Sequence, residues 1–292
     1  MDGLLLIDKP AGMTSHDVVA RLRRLARTRK IGHTGTLDPD ATGLLPLTIG
    51  ACTKLAQHLI LDAKAYSFTA RFGAGTTTDD ASGEVIATGP VDHLSLEVIE
   101  AALDPFRGDI MQRPPRFSAI RVDGRRAYDM AREGLEFELD PRPVRVDALR
   151  LDSFESPDAE MFMACGSGTY VRSIVRDLGV ALGTAAHTTR IHRVRVGMFH
   201  VEQATPLDAL EGMDPEAIAA LLLTPAQMMA SLPSRALTDE EVVAVRQGKA
   251  LSLDPEQPHD EDTKLALLDP TGALVAIAEV SGGGVRPRRV LA

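Results

Sequence analysis

The sequence has few cysteines and no long apolar run. Its two cysteines, Cys52 and Cys165, are too few for a disulfide scaffold and indicate a reducing compartment. The longest apolar stretches, such as the one around residues 221–223, are far too short to cross a bilayer. The first ten residues carry an acidic residue where a signal peptide needs positive charge, and their apolar run ends early. We therefore expect a cytoplasmic protein that is not exported.

Several motifs of familiar catalytic sites are also missing. The sequence contains no GxxxxGK[ST] phosphate loop and no GxGxxG that opens a helix after a strand. Its eight histidines form no HExxH motif, and its cysteines form no pair at zinc-binding spacing. We therefore expect no metal and no cofactor, so that carboxylates, tyrosines and arginines must carry any chemistry.

The overall charge of −9 argues at first against a nucleic-acid partner. The acidic residues are unevenly distributed, however, because residues 201–262 hold 13 acidic and three basic side chains. Basic clusters lie elsewhere, at residues 21–30, at 107–126 with six arginines, and at 187–195. Each cluster alone could be a solvated face of a helix or strand. The three together favour a surface that binds a polyanion, since local stripes of arginine set the field that a polyanion meets.

The hydrophobic periodicity predicts short strands mixed with helices, without a repeating βαβ pattern, which is typical of an α+β fold. Thr14 and Ser15 are both candidates for the N-cap of the first helix, and Asp17, three residues after Thr14, is a candidate capping-box partner. Strands are predicted at residues 3–8, 44–49, 64–72, 143–151, 160–165 and 189–201. Helices are predicted after residue 14, at residues 53–61 and 95–103, after the glycine-rich turn near residue 168, and in short acidic segments between residues 207 and 230.

Two breaks in composition predict the domain organisation. Residues 112–141 are rich in arginine and turns and are predicted to form an insertion that stands out from the core. A Leu-Pro-Ser sequence at residues 232–234 is predicted to link a large domain, residues 1–231, to a small β-rich domain, residues 232–292.

The segment of greatest chemical interest is GHTGTLDPDATG, residues 32–43. The proline directly after Asp38 fixes the backbone there, and Gly32, Gly35 and Gly43 are expected to make turns that other residues cannot make. Such a loop holds one carboxylate firmly while leaving it approachable. The residues alone also allow a simple Asx-type turn, in which Asp38 only accepts hydrogen bonds from nearby amides.

Six segments of the chain together resemble one known family. They are GLLLIDKPAGMTSHDVV, GHTGTLDPDATG, KAYSFTARFG, RPPRFSAIRVDGRRAYDMAREG, GSGTYVRSIVRDLG and HTTRIHRVRVG. In this order, over about two hundred residues, they are similar to the motifs of tRNA pseudouridine synthases of the TruB type. Six ordered matches are far more specific than any one of them.

The resemblance implies a fold and an activity. The fold would be α+β, with a central mixed or antiparallel sheet, a thumb that grips RNA at about residues 112–141, and a small C-terminal PUA-like domain at residues 232–292. The protein would isomerise the T-loop uridine at position 55 of tRNA to pseudouridine. It would act as a monomer on the T-arm of tRNA, with no cofactor, membrane or obligate protein partner.

The resemblance also implies the roles of individual residues. Asp38 would be the catalytic carboxylate, acting as a nucleophile or as the base that starts an elimination at the sugar. Its substrate-binding partners would be Tyr66, Arg172, Tyr170, Ile191, His33 and Lys9. Among these, Tyr66 would stack on the target uracil, and its phenol could take part in proton removal. Arg172 would favour the ionised form of Asp38 by its charge and its hydrogen bonds.

Three further roles concern the position of the base. A uridine inside a folded loop must be flipped into a pocket before it can react. His33 would fill the stacking position that the base leaves, since an imidazole can both stack and hydrogen-bond. Ile191 would lie beside the flipped base, and Lys9 would support the pocket without reacting.

The residues alone leave simpler interpretations open. By alternation, Tyr66 is also an ordinary aromatic on a strand face. By spacing, Arg172 is also a surface arginine of a helix, and His33 is also a structural histidine in a turn. Two other functions remain possible: an RNA-binding protein without catalysis, or a glycosidase that would need a second carboxylate such as Asp40.

The sequence departs from the family pattern at two places. His192 lies where the family often has the first arginine of a pair, so the contact made there is expected to be weaker or sensitive to pH. The resemblance of the C-terminal segment to a PUA module is looser than that of the core. Its acidic stretch at residues 254–262 is not expected to touch RNA.

Overall fold

The computed structural model describes residues 1–60, 63–122, 124–253 and 259–291. In chain order its strands are β1 Gly3–Lys9, β2 Ile31–His33, β3 Thr42–Ile49, β4 Lys64–Phe72, β5 Ala74–Thr76, β6 Val85–Thr88, β7 Gly108–Gln112, β8 Arg121–Val122, β9 Arg125–Arg126, β10 Arg142–Glu155, β11 Asp158–Cys165, β12 Ala186–Val196, β13 Phe199–His200, β14 Thr205–Pro206, β15 Ser234–Ala236, β16 Leu251–Ser252, β17 Lys264–Leu268, β18 Leu274–Ser281 and β19 Gly284–Val290.

The helices lie between these strands. The α-helices are α1 Ser15–Leu25, α2 Ala56–Ile60, α3 Leu96–Ala101, α4 Ala127–Arg132, α5 Val171–Ala181, α6 Pro215–Ala220, α7 Pro225–Met228 and α8 Asp239–Arg246. Short 3-10 turns occupy Gly50–Leu55, Asp104–Phe106, Val201–Gln203 and Leu207–Leu210. Strands and helices are mixed without a regular βαβ repeat, which confirms the α+β prediction. None of the helices in the described part of the chain combines the length and the apolar composition that crossing a bilayer requires.

The chain divides into two compact units. Unit 1 comprises Met1–Pro39, Leu44–Ile60 and Gly197–Ala292, and unit 2 comprises Asp40–Gly43 and Leu61–Val196. The predicted boundary between residues 231 and 232 is not one of these divisions and stays a prediction.

Unit 2 is built on a sheet in the order β12-β4-β11-β10-β7. These strands are antiparallel, and the first two residues of β3 add a short parallel pairing to β12. Helix α5 lies against this sheet and contributes four buried apolar side chains to the same hydrophobic cluster as Phe68 and Phe72. The sheet is therefore mixed, as predicted, and its packed face is covered by α5 and α3.

Unit 1 contains two groups of strands. The first has β1 beside β14 and β3, with β2 paired to β3. The second is a five-stranded sheet in the order β15-β17-β18-β19-β16, formed by residues 234–290. Its inner face packs on α8 through an apolar cluster that includes Val245, Leu265 and Val280. Within this sheet, the sequence LALLDPTGALVAIAEV contributes the antiparallel pair β17 and β18.

Most predicted elements are found, with differences at their ends. The predicted helix at residues 53–61 is a 3-10 turn followed by α2, and its last residue lies outside the described residues. Within residues 112–141, the sequence FSAIRV forms a strand only at Arg121–Val122, and residue 123, which follows, also lies outside the described residues. The hairpin of β5 and β6 was not predicted, because Thr77–Gly83 between its strands reads as a polar loop.

Candidate active site

The residue before Asp38 is fixed by the start of helix α1. The hydroxyl of Ser15, which is buried, donates to the carbonyl of Leu37 at 3.1 Å and accepts from the amide of Leu37 at 2.8 Å. Ser15 is the first residue of α1, and Thr14 caps the helix through the predicted capping box with Asp17. The end of α1 therefore anchors the Asp38 loop on one side.

The residue after Asp38 is fixed by Lys9. The Lys9 side chain is fully buried, and its ammonium donates to the carbonyls of Pro10 at 2.8 Å, Met13 at 2.7 Å and Pro39 at 2.9 Å. The Pro39 carbonyl also accepts from the amide of Gly12 at 3.0 Å. Three carbonyl acceptors match the three N–H bonds of an ammonium. Lys9 thus joins the turn at residues 10–13 to the Asp38 loop.

Asp38 itself is half-buried between these two anchored neighbours. The loop needs left-handed backbone at Gly35, with φ of 101°, and at Gly43, with φ of 97°. The expectation for Gly32 was wrong, because this residue lies in strand β2 with ordinary backbone. The loop of residues 34–41 therefore presents the half-buried carboxylate of Asp38 on a firmly held backbone, as its sequence predicts.

His33 lies at the end of β2 and is half-buried. Its ring meets that of His16, on α1, edge to face, with the ring centroids 5.9 Å apart and an interplanar angle of 77°. Lys9, His33 and Asp38 all belong to unit 1.

Tyr66 and Ile191 lie on neighbouring strands of unit 2. Tyr66 is buried in β4 and belongs to the hydrophobic cluster of this unit, against which the half-buried Ile191 of β12 packs. Tyr66 stands directly opposite Arg193 in the antiparallel pair of β4 and β12, and the two side chains share a hydrogen bond. Arg193 was not among the predicted site residues.

Arg172 is also in unit 2, in the first turn of α5, and only 4% of it is exposed. This burial excludes the interpretation of Arg172 as a surface helix arginine. Its guanidinium donates to the carbonyls of Thr78 at 2.9 Å and Phe117 at 3.0 Å, and it lies 3.4 Å from the carboxylate of Asp80.

A second arginine on α5 holds the same loop. Arg176 lies 3.0 Å from the carboxylate of Asp79 and donates to the carbonyl of Arg113 at 2.8 Å. Burial raises the pKa of Asp79, and the charge of Arg176 opposes this effect. Asp79 has a φ of 61°, so the Asp79–Asp80 turn adopts left-handed backbone where it meets α5. The loop between β5 and β6 is therefore ordered by two arginine–aspartate pairs.

Tyr170 precedes α5 and is half-buried. Its backbone is fixed by the side-chain amide of Gln112, which accepts from the Tyr170 amide at 2.8 Å and donates to its carbonyl at 3.1 Å. The guanidinium of Arg142 lies over the Tyr170 ring, 5.3 Å from its centroid.

His192, the residue that departs from the family pattern, lies on β12 between Ile191 and Arg193. Its Nδ1 atom is 2.8 Å from the hydroxyl of Thr42. Because neighbouring residues of a strand point to opposite faces, His192 faces away from Ile191 and Arg193. The structure thus gives His192 a partner in the protein, at the pairing of β12 with the start of β3.

The segment predicted to be an insertion, residues 112–141, carries a basic concave surface. A cavity of about 520 Å³ is lined by four arginines and by Asp129 and Glu133; the arginines are Arg121, Arg125, Arg126 and Arg132. Arg126 and Arg132 lie over the ring of Tyr128, 5.8 Å and 5.7 Å from its centroid. In the part of the chain that the structure describes, no three side chains of His, Cys, Asp or Glu are grouped so as to hold a metal ion.

The structure adds Ser15, Asp80 and Arg193 to the residues predicted from sequence. Ser15 lies within the first motif, and Arg193 lies within the basic cluster at residues 187–195, so both segments had been singled out. The alternation of side chains along β12 could have identified Arg193 from the sequence, because it places Arg193 on the same face of the strand as Ile191, a predicted site residue. No sequence pattern in the polar loop around Asp80 predicted its contact with Arg172.

Comparisons with known proteins bear on this arrangement. Residues 23–171 match the model of the TruB family pseudouridylate synthase, N-terminal domain. The chain is 44% identical to the tRNA pseudouridine synthase B of Caulobacter sp. (strain K31), covering 99% of this chain and 96% of that one. It is 42% identical to the protein of the same name from Thermobifida fusca (strain YX), covering 100% of this chain and 99% of that one.

Solved structures share the fold at lower identity. A chain of a Cbf5-Nop10-Gar1 complex superposes with a TM-score of 0.74 at 24% identity, covering 99% of this chain and 84% of that one. A chain of an H/ACA RNP bound to a substrate RNA containing 2'-deoxyuridine gives the same TM-score at 23% identity, covering 99% of this chain and 85% of that one.

Proposed function

The chain belongs to the TruB family of pseudouridylate synthases, and we propose that its substrate is the T-loop uridine at position 55 of tRNA. Relatives that match it over nearly their whole length are named tRNA pseudouridine synthase B. The protein is accordingly an isomerase that converts uridine in tRNA to pseudouridine. The T-loop position and the residue roles below are the proposal.

Asp38 is the proposed catalytic carboxylate. The observation that carries this assignment is the anchoring of both its neighbours, Leu37 by Ser15 and Pro39 by Lys9, around a half-buried acid. Isomerisation breaks a C–N glycosidic bond, turns the uracil and forms a C–C bond, without adding atoms. Only a carboxylate held in one place is needed to act at the sugar, either as a nucleophile or as the base that starts an elimination.

The pocket residues keep the roles that the family implies. Tyr66 stacks on the target uracil and Ile191 lies beside it, which suits two side chains on one face of neighbouring strands. Tyr170 binds the substrate from the start of α5, and Arg172 supplies positive charge that favours an ionised carboxylate. Lys9 supports the loop and does not react, since its ammonium is occupied by backbone carbonyls.

The target base must leave its stack to reach these residues. We assign to His33 the task of filling the vacated position, because its imidazole is half-buried at the end of a strand and can both stack and hydrogen-bond. The proposal includes tRNA binding by the basic clusters, action as a cytoplasmic monomer without an obligate protein partner or cofactor, and a PUA-like role for residues 232–292.

An unmodified T-arm RNA incubated with the pure protein alone tests the proposal. Pseudouridine mapping should find product at the T-loop uridine with the wild type and none with Asp38→Asn. The amide keeps the shape of the side chain but can act neither as a nucleophile nor as a base at neutral pH.

Asp40→Asn is the matched control, since Asp40 is an exposed carboxylate in the same loop. It should retain wild-type turnover, whereas a glycosidase with a carboxylate pair would lose activity with either change. Normal turnover by Asp38→Asn, in a protein with unchanged circular dichroism, would sink the assignment of Asp38. Pseudouridine at another uridine would contradict only the proposed T-loop position and not the role of Asp38.

A further inference from the structure

Arg193 is the largest fully buried side chain in the described part of the molecule, with 1% of its surface exposed. Taking a guanidinium out of water is costly unless the structure provides it with partners. Burial lowers the pKa of Arg193, and its hydrogen bond with Tyr66 acts in the opposite direction. Replacing a whole buried ion pair with apolar side chains of similar volume is often neutral or stabilising, so a buried charge is weak evidence of a role in stability. We therefore consider a second role of the arginine at this position.

The backbone at Arg193 is closely determined. Strand β12 pairs with β4 in a register that places Arg193 opposite Tyr66, and the register shifts immediately after this pair, before Arg195. On its other edge, Arg193 pairs with Gly43. A Cβ atom at Gly43 would lie 2.4 Å from the Arg193 carbonyl oxygen, so only glycine permits this approach.

The chemistry of the two side chains determines which one donates in the hydrogen bond between Arg193 and Tyr66. A guanidinium has N–H donors and no acceptor, so Arg193 donates and the phenol oxygen of Tyr66 accepts. A positive charge beside the phenol oxygen also stabilises negative charge on it.

We infer that Arg193 is a positioning residue for Tyr66, one that fixes the orientation of the ring and stabilises negative charge on its hydroxyl oxygen. The inference rests on the proposed function, in which Tyr66 contacts the target uracil. In that setting, a ring held by a hydrogen bond at its far end presents its face in one orientation only. Arg193 acts through Tyr66 and needs no contact with the RNA.

A double-mutant cycle tests this role with single-turnover rates on the T-arm RNA. Arg193→Met should slow the wild type by about 10- to 100-fold, the range expected on loss of a charge-assisted hydrogen bond. In a Tyr66→Phe background, the same change should slow the reaction by less than about twofold, because the hydrogen bond is already absent. Arg193→Lys, which keeps a charged donor, should recover part of the rate. Equal loss in both backgrounds would overturn the inference.

A second measurement does not depend on activity. The chain has three tyrosines and no tryptophan, so tyrosinate absorbance can follow phenol ionisation, and the Tyr66→Phe spectrum identifies the contribution of Tyr66. Tyr66 should ionise at higher pH in Arg193→Met than in the wild type, since a neighbouring positive charge has been removed. An unchanged titration would overturn the inference even if Asp38→Asn behaves as proposed.

Arg71→Met is the control for the loss of an arginine from this sheet. Arg71 lies on β4, pairs with Asp158 at 2.7 Å, and has a half-exposed side chain. A solvent-exposed ion pair contributes little, so this variant should keep both the rate and the tyrosine titration of the wild type. If Arg193→Met does not fold, as judged by thermal melting, Arg193→Gln and Arg193→Lys are compared in both backgrounds by the same criteria.

Discussion

At the scale of single residues, buried charge determines the local geometry of the site. Lys9 and Arg193 are the two largest fully buried side chains among the described residues, and both are cations. The ammonium of Lys9 gathers three carbonyl oxygens from two separate segments. The two cysteines are different, because burial raises the pKa of Cys165 and of Cys52 to about 11 and keeps both as thiols.

Replacing Lys9 tests its part in the loop. Lys9→Met fills a similar volume but removes the buried ammonium that binds three part-buried carbonyl groups. We expect the free energy of unfolding to fall by about 2–5 kcal/mol, measured by urea denaturation. Lys54→Met, at an exposed lysine, should unfold like the wild type. Equal midpoints for the two variants would contradict the role of Lys9 as the tether of Pro39.

At the scale of elements, helix α1 and strand β12 set the positions of the site residues. Helix α1 begins with a capping box, and its first residue binds Leu37, so the cap fixes both the helix and the start of the Asp38 loop. Strand β12 has register shifts before Arg190 and after Arg193. The residues between these shifts alternate faces, which directs Ile191 and Arg193 to one side and His192 to the other.

Removing the cap of α1 should destabilise the protein by a small and measurable amount. Thr14→Ala loses the side-chain acceptor for the Asp17 amide, and we expect a loss of about 1 kcal/mol in the free energy of unfolding. Thr14→Ser keeps the hydroxyl and should unfold close to the wild type in urea. A serine variant as unstable as the alanine variant would show that the methyl group, and not the hydrogen bond, matters here.

At the scale of the whole molecule, charge is separated along the chain. The net charge is −9, yet most of the acidic excess lies in residues 201–262. In unit 2, a cavity between residues 121 and 133 has four arginines in its lining. A polyanion responds to such local surfaces and less to the overall sum.

RNA binding should therefore depend strongly on salt despite the negative net charge. For roughly six phosphate contacts, the logarithm of the association constant should fall with the logarithm of salt concentration with a slope of about −4 to −5. Filter binding of T-arm RNA to Asp38→Asn measures this slope without turnover. Arg126→Gln, in the cavity lining, should make the slope shallower by about one, and Arg71→Gln should leave it unchanged. Binding that does not respond to salt would contradict the electrostatic contribution.

Local sequence was sufficient for much of the fold. The Thr14 cap, the strand at Lys64–Phe72 and the turn at Gly35 follow from short-range chemistry: a hydroxyl before a helix, alternating side chains, and a glycine with left-handed backbone. Neighbours along the chain determine these features, so the sequence predicts them, whereas the contacts of Ser15 with Leu37 and of Lys9 with Pro39 join distant segments. The family motifs then identified the chain as a pseudouridylate synthase before any contact was known.

Only the tertiary structure decided which distant residues meet. Arg172 reads as a helix-surface arginine, but the loop after β5 covers it with Asp80 and the carbonyl of Thr78. Arg193 reads as one cation in a basic cluster, but the register of β12 against β4 buries it opposite Tyr66. Burial and strand register depend on how segments far apart in the chain pack together. Short-range sequence patterns do not determine that packing, so they could not predict these contacts.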